Sequence, residues 1–167
     1  NPIIAEAHDA SHGIYDAYTG ETLVQGNSGL PIFVGVMAFG VKTIIDKLNQ
    51  IGEKPQDGDV WIFNDPYKGG THLSDFRLVK PVFFNKKLFC YIASVGHWHD
   101  IGGNIPGNYN PVATECFQEG ILIPPVKLFE KGILKEEIID ILSSNSRLPV
   151  SLYGDLHGQI NAYYLCF

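Results

Sequence analysis

The stretch FRLVKPVFFNKKLFCYIASVG, residues 76–96, contains two long apolar runs separated by a short polar segment, NKK. Runs rich in β-branched and aromatic residues on both sides of such a segment are typical of an antiparallel β-hairpin. If the turn is symmetric about Lys86, Asp75 faces His97 at the open end of the hairpin, and Phe83 faces Phe89 near its tip. The hairpin is therefore predicted to be the centre of the fold, with one polar pair at the end of an apolar ladder.

The elements before this hairpin are predicted from alternation and from helical periodicity. Among them is one helix, which Gly52 and then Pro55 are expected to end. The predicted elements are a short hairpin formed by HGIYDA and ETLVQG, a helix from Phe33 to about Gln50, and a buried strand VWIFN at residues 60–64.

The segment after the hairpin begins with a Gly/Pro-rich loop at residues 101–120, and loops of this length in compact domains are commonly functional. ILIPPVKLF is expected to be an edge or irregular strand because of its two prolines. Two helices follow: residues 135 to about 144, with Ile138, Ile141 and Leu142 on one face, and a helix that begins at Pro149, with Leu152, Leu156, Ile160 and Tyr163 along one side.

This order of elements predicts an α+β fold with an antiparallel-rich sheet around the long hairpin, one helix after the first hairpin and two C-terminal helices. A length of 167 residues suits a single domain covering 1–167, and 45% hydrophobic residues exclude disorder. The missing initial Met and the apolar end, INAYYLCF, suggest an excised piece of a longer protein.

Charge and cysteine usage exclude several classes of function. A net charge of -6 without a Lys/Arg cluster argues against nucleic acid as a partner. The longest uncharged run, GLPIFVGVMAFGV, is too short to span a membrane. Cys90, Cys116 and Cys166 form neither a disulfide framework nor a CxxC knuckle, and Cys90 and Cys166, which lie in apolar segments, are interpreted as core thiols. The predicted location is the cytoplasm.

Polar residues gather at the open end of the central hairpin. His72 lies three residues before Asp75, and Gly69-Gly70 can bend its loop back towards the Asp75–His97 pair. Cross-strand neighbours have Cβ atoms about 5 Å apart, so these side chains could share one ion. Imidazole and carboxylate ligands suit Zn, Mn or Fe(II). The alternative is that His72 and Asp75 only make loop hydrogen bonds.

Three motifs, GDVWIFNDPYKGGTHLSD, SVGHWHDIGG and CFQEGILIPPVKL, resemble those of B-type subunits of the hydantoinase/oxoprolinase family, which includes subunits of acetone and acetophenone carboxylases. The similarity extends over nearly the whole chain. Because such subunits are normally several times longer, the resemblance implies that this chain is their amino-terminal portion. The resemblance implies that His72, Asp75 and His97 bind a divalent metal, with Asp9 as a candidate fourth ligand.

The same resemblance implies a function and partners. An A-type partner subunit would use ATP to phosphorylate an amide or enol oxygen of the substrate. The B-type metal centre would then support hydrolysis of a small cyclic amide or carboxylation of a ketone. The isolated chain, without the remainder of its own B subunit, is expected to be inactive. A non-catalytic assembly module that docks the partner is the alternative.

Further residues are candidates for roles around the metal. His97 and His99 form an H-x-H pair, so an Fe(II) site of these two histidines and one carboxylate is a rival; His99 is otherwise expected in the pocket wall. Asp100 is a candidate catalytic residue that could orient a ligand histidine, or else it caps a turn.

Glu119 is a candidate general base, although a solvated loop glutamate is an equally good interpretation. Asn64 and Asp65 are candidate substrate contacts at a strand-ending turn. Gly70 could help form an anion nest for a phosphorylated intermediate, and loop flexibility is its simpler explanation.

Overall fold

The computed structural model describes residues 1–164, so Cys166, predicted to be a core thiol, lies outside the described residues. The helices are α1 (Pro2–Ala5), α2 (Ile32–Ile51), α3 (Glu136–Ser144) and α4 (Pro149–Tyr164). The strands are β1 (Ala10–Asp16), β2 (Thr22–Gln25), β3 (Val60–Phe63), β4 (Asp75–Phe84), β5 (Lys87–His97), β6 (Val126–Glu130) and β7 (Ile133–Leu134).

The described strands form one seven-stranded sheet in the order β2-β1-β5-β4-β3-β6-β7, and every neighbouring pair is antiparallel. The predicted α+β class and the central position of the β4–β5 hairpin are confirmed. The strand after Pro124-Pro125 pairs with β3 through an irregular register and also with β7, so it is irregular but not at the edge. Helix α1 and strand β7 were not predicted.

The central hairpin has the predicted register at its open end but not at its tip. Asp75 pairs with His97, whereas Phe83 pairs with Leu88 instead of Phe89. The turn contains only Asn85 and Lys86, both at positive φ (49° and 63°), which is the geometry that matches strand twist in two-residue hairpins. A β-bulge beyond Val82 then restores the register, because one extra residue on β5 offsets the shorter turn.

Helices cover both faces of the sheet. One face packs against α2, whose buried residues are Phe33, Met37, Val41, Ile44 and Leu48. The opposite face packs against α3 and α4, including the four α4 residues predicted for its buried side. In α3 the prediction was partly wrong: Ile139 and Leu142 are buried, but Ile141 is 46% exposed. The α3 face that meets the sheet is therefore rotated from the predicted one.

The open end of the hairpin is held by α4. The Trp98 ring stacks on Phe76 with centroids 3.9 Å apart, and its Nε1 donates to Gln159 Oε1 at 2.8 Å. Gln159 Nε2 donates in turn to the Phe76 carbonyl at 3.0 Å. These contacts fix the backbone next to Asp75 and His97.

Within residues 1–164, no helix has the length and apolar character needed to cross a bilayer.

Candidate metal centre

Two strand ends and one loop bring two imidazoles and a carboxylate together. Asp75 is the first residue of β4, and His97 is the last residue of β5. Asp75 Oδ1 lies 3.2 Å from His72 Nε2 and 3.4 Å from His97 Nδ1. One ligand atom from each residue falls within 4.8 Å of the others, so all three could bind one ion. The rings of His72 and His97 lie 4.9 Å apart, inclined by 50°.

Glycines give the loop its shape before His72. Asp65 accepts a hydrogen bond from Tyr67 N at 2.9 Å and starts a short 3-10 turn, Pro66–Lys68. Gly69 then adopts φ 82°. A Cβ on Gly70 would lie 2.5 Å from the Asp65 carbonyl oxygen, closer than real Cβ atoms come to another atom. This tight reversal returns the chain to the sheet, so that His72 can reach Asp75.

Asp9 approaches the cluster from the segment before β1. Its Oδ2 lies 3.5 Å from His97 Nδ1, and its carbonyl accepts from His97 N at 3.0 Å. Burial raises the pKa of Asp9, against the attraction of His97. Asp9 thus contacts His97 at the edge of the cluster, but it is not one of the three residues whose ligand atoms lie within 4.8 Å of one another.

The electrostatics of Asp75 favour its charged form. Burial opposes ionisation, but the adjacent imidazoles of His72 and His97 outweigh it and hold the pKa of Asp75 well below its usual range. The contact with Asp75 likewise raises the pKa of His72 against the effect of burial. A carboxylate with a low pKa stays available as a ligand throughout the neutral range.

Two atoms of the cluster are buried without a hydrogen-bond partner: Asp75 Oδ1 and His97 Nδ1. An unpaired buried polar atom costs about 1–3 kcal/mol. Both atoms belong to groups that coordinate Zn, Mn or Fe(II), and they lie 3.4 Å apart. The residues therefore fit a divalent cation, which would satisfy both atoms at once.

His72, His97 and Asp9 line a cleft of about 440 Å³. Ser74, Glu119 and the loop 107–111 also line it. Glu119 is half-buried, and its charge contributes to the raised pKa of His72. The structure thus brings Glu119 to the same cleft as the candidate ligands.

Comparison with known proteins identifies the family. The sequence profile of the Hydantoinase B/oxoprolinase family matches residues 1–166. The chain belongs to this family. An uncharacterised protein of Methanocaldococcus jannaschii is 39% identical over 160 residues, which is 96% of this chain and 28% of that protein. The caprolactamase subunit beta of Pseudomonas jessenii is 37% identical over 156 residues, or 93% of this chain and 26% of that subunit. The chain thus spans about a quarter of the length of these relatives.

Two solved structures resemble this hydantoinase B/oxoprolinase chain. The crystal structure of the ATP-dependent caprolactamase from Pseudomonas jessenii aligns with a TM-score of 0.81 at 36% identity, covering 93% of this chain and 26% of that one. A nucleotide-free structure of acetone carboxylase aligns with a TM-score of 0.86 at 23% identity, covering 96% of this chain and 21% of that one, and shares the fold.

Three candidate substrate residues of this hydantoinase B/oxoprolinase chain have structural roles. The Asn64 amide is fully buried: its Nδ2 donates to the carbonyls of Leu73 and Ile121, and its Oδ1 accepts from Ile123 N at 2.7 Å. Asp65 caps the 3-10 turn, as described above. Gly70 lines a different cavity, between its loop and α2. The turn predicted at Asn64 and Asp65 is confirmed, and their contact with a substrate stays a prediction.

Asp100 is a buried anchor for the loop that borders the cleft. Its Oδ1 accepts from Gly102 N at 3.1 Å and Arg147 N at 3.0 Å, while its Oδ2 accepts from Gly107 N and Arg147 Nη1, both at 3.1 Å. Of its two predicted roles, this is the turn-capping one. Gly107 lines the cleft, so Asp100 positions the cleft wall. Arg147 was not predicted as its partner.

His99 does not join the ligand group found among the described residues. The H-x-H argument required the strand to continue through His99, but β5 ends at His97, and strand alternation stops there. His99 is half-buried.

Two residues beside Asp75 were missed as candidates, Thr71 and Arg77. Their only signal was a hydroxyl next to His72 and an arginine inside an apolar strand.

Proposed function

We propose that this chain supplies the metal-binding part of a B-type subunit in an ATP-dependent enzyme that hydrolyses a small cyclic amide or carboxylates a ketone. The observation that carries the proposal is the cluster of His72, Asp75 and His97, in which Asp75 Oδ1 and His97 Nδ1 are buried and make no hydrogen bond. Family membership supports it, since named relatives include a caprolactamase subunit, 5-oxoprolinases and an acetophenone carboxylase subunit.

The residues of the cleft have complementary tasks in this proposal. His72, Asp75 and His97 would hold a divalent ion (Zn, Mn or Fe), with Asp9 as the fourth ligand. Such an ion, when bound, polarises a carbonyl oxygen or lowers the pKa of a water molecule. Glu119, at the cleft wall, would accept the proton of the attacking water in amide hydrolysis. A volume of about 440 Å³ suits a small ring.

ATP chemistry would come from a separate A-type subunit, which phosphorylates the substrate oxygen before it reaches the cleft. The caprolactamase of known structure is ATP-dependent, and two of the named relatives are subunits of larger enzymes. The remainder of the B subunit would complete the enzyme, and the chain alone would be inactive. We also place this assembly in the cytoplasm, a proposal supported by the free thiols of Cys90 and Cys116.

A docking function is the second candidate, and a specific surface favours it. The loop beside the cleft exposes three apolar side chains, Tyr109, Val112 and Phe117, each more than 70% exposed. Apolar residues grouped beside a polar cleft suit contact with another protein surface. In this view the chain would bind the A-type partner and contribute no chemistry. A protein that contains no metal yet binds the partner tightly would favour this candidate.

Metal analysis tests the main proposal. We expect the purified protein to retain a stoichiometric divalent ion, and His72→Ala and His97→Ala to lose it. His157→Ala is the matched control, because His157 is an exposed histidine on α4. Undiminished metal content in both cluster variants would falsify the proposal. Turnover of a lactam by this chain alone would overturn the requirement for partners.

A further inference from the structure

Arg77 is an unusual buried cation beside the candidate metal centre. It lies on β4 and is 1% exposed. Its Nη1 donates to the Asp75 carbonyl at 3.1 Å, and its Nη2 donates to Thr71 Oγ1 at 3.0 Å. Within residues 1–164, no carboxylate oxygen lies within 4.0 Å of this guanidinium. Burying a charge without a paired carboxylate is costly, so its hydrogen bonds need an explanation.

The packing around Arg77 does not supply that explanation. Its stem fills a narrow space under α2, where a Cβ on Gly40 would lie 3.3 Å from Arg77 Cδ. A methionine would fill a similar volume without a charge. Both hydrogen bonds that the guanidinium donates end on the segment that presents Asp75, while its Nε is buried without a hydrogen-bond partner.

Thr71 links Arg77 to the carboxylate of Asp75. A threonine hydroxyl has one hydrogen to donate and lone pairs to accept. Because Thr71 Oγ1 accepts from Arg77, which can only donate, its own hydrogen is free to point at Asp75 Oδ2, with which it makes a hydrogen bond. This bond occupies Oδ2. The other oxygen, Oδ1, faces His72 and His97 and is the atom left without a hydrogen bond.

We propose that Thr71, oriented by Arg77, is a positioning residue that makes Asp75 bind the metal through Oδ1 alone. This inference rests on the proposed metal-binding function. The hydroxyl fixes the rotation of the carboxylate, and the guanidinium fixes the direction of the hydroxyl. Partners of this kind behind a ligand typically contribute 10–100-fold to metal affinity.

Metal titration of purified variants tests the inference. Thr71→Val keeps the shape and removes the hydroxyl, so we expect Co²⁺ and Zn²⁺ to bind about 10–100-fold more weakly. Thr71→Ser keeps the hydroxyl, so its affinity for these metals should stay within about threefold of the wild-type affinity, a change well under that loss. Thr43→Val is the matched control, since the Thr43 hydroxyl bonds to the Phe39 carbonyl on the exposed side of α2.

Two readouts separate positioning from general damage to the fold. The visible spectrum of bound Co²⁺ should change in Thr71→Val, because a freed carboxylate can bind through both oxygens, and it should be normal in Thr71→Ser. Arg77→Met provides an independent test should Thr71→Val not fold. Removing a buried charge should preserve the unfolding temperature in EDTA, while metal affinity falls by about 10–100-fold.

The outcomes distinguish this inference from the proposed function. A wild-type protein that binds no metal would overturn the proposed function. If the wild-type protein binds metal and both Thr71→Val and Arg77→Met bind it within about threefold of the wild-type affinity, the loss is well under the expected one. That result would overturn the positioning role and leave the proposed function standing. Equal losses in Thr71→Val and Thr71→Ser would also contradict the inference, since the hydroxyl would then not be the group that matters.

Discussion

At the scale of single residues, the site depends on which side chains still have a free polar atom. Sequence reasoning chose His72, Asp75 and His97 because ligand-type residues sat at the ends of predicted strands. It could not show that Asn64 and Asp100 have every side-chain oxygen engaged by backbone groups, because two of those partners, Ile123 and Arg147, lie far away along the chain. Arg77 was missed for a similar reason, since the sequence does not show whether an arginine in an apolar strand is buried.

Asp100 gives a prediction about stability and pH. Replacing it with asparagine puts an N–H₂ group against backbone donors, so we expect Asp100→Asn to lower the free energy of unfolding by about 1–3 kcal/mol. Although burial opposes ionisation, hydrogen bonds from Arg147, Gly107 and Gly102 lower the pKa of Asp100 below its ordinary value of 3.8. The wild-type advantage should be full above that value and disappear as the pH falls through the folded-state pKa.

Urea denaturation of both proteins from neutral pH down to strongly acidic pH measures this difference. Asp140→Asn is the control, because Asp140 is an exposed aspartate on α3. An advantage that grew as the pH fell would contradict the assigned role of Asp100.

Gly70 provides a second prediction at this scale. A methyl group there would meet the Asp65 carbonyl, so Gly70→Ala should destabilise the protein by about 1–3 kcal/mol and lower its metal content by displacing His72. Gly154→Ala is the matched control, since a Cβ at Gly154 on α4 meets no atom within 4 Å. The control should be neutral or slightly stabilising, by up to about 1 kcal/mol. Normal metal content in Gly70→Ala would show that the loop tolerates the methyl group.

At the scale of elements, periodicity identified the helices and strands. It could not predict irregularities of the hairpin that offset each other, the shorter turn and the bulge. The hairpin turn is one residue shorter than predicted, and the bulge beyond Val82 compensates for it. The register at Asp75 was therefore predicted correctly from a wrong turn. In α3, helical spacing alone fitted more than one face, and only contact with the sheet selects Ile139 over Ile141.

The tip of the hairpin offers a prediction about turn chemistry. Lys86 has φ 63°, a conformation that costs an ordinary residue about 1 kcal/mol. Lys86→Gly gives the Asn-Gly sequence favoured in two-residue turns, so we expect the free energy of unfolding to rise by up to about 1 kcal/mol. Lys87→Gly, one residue later and inside β5, should instead lower it. Equal effects of the two substitutions in urea denaturation would refute the turn assignment.

Helix α4 should stabilise the site through one side chain. Gln159 bonds to Trp98 and to the Phe76 carbonyl, both of which would lose a buried partner in Gln159→Leu. We expect a loss of about 2–6 kcal/mol, about 1–3 kcal/mol for each of the two unsatisfied groups, measured by denaturation. Gln50→Leu, at an exposed position near the end of α2, is the control and should change stability by less than about 0.5 kcal/mol.

At the scale of the whole molecule, helices on both faces make the sheet a rigid platform whose open end carries the site. The sequence predicted the fold class from the order of its elements, with strands mainly in the first two-thirds of the chain and helices at its end. It could not predict which helix covers which face, because that depends on contacts between distant segments. The family match over residues 1–166, set against coverage of about a quarter of its relatives, supports our proposal that activity belongs to a larger assembly.

Metal binding should stabilise the entire chain. An ion that binds only the folded state adds about 2.7 kcal/mol when its concentration is about 100 times the Kd. We therefore expect the unfolding temperature to rise on addition of Zn²⁺ or Mn²⁺ and to fall in EDTA. The shift should vanish in His97→Ala and persist in His157→Ala. A shift of equal size in His97→Ala would place the bound ion elsewhere.

The bulge near the hairpin tip has a consequence for evolution. Losing Phe89, the unpaired residue between Leu88 and Cys90, would leave a regular ladder in which His97 still faces Asp75. Losing Tyr91, beyond the bulge, would instead bring His97 opposite Phe76 and turn its imidazole to the other side of the sheet. Natural selection should therefore accept the loss of one residue at the bulge and reject deletions in β5 between the bulge and His97.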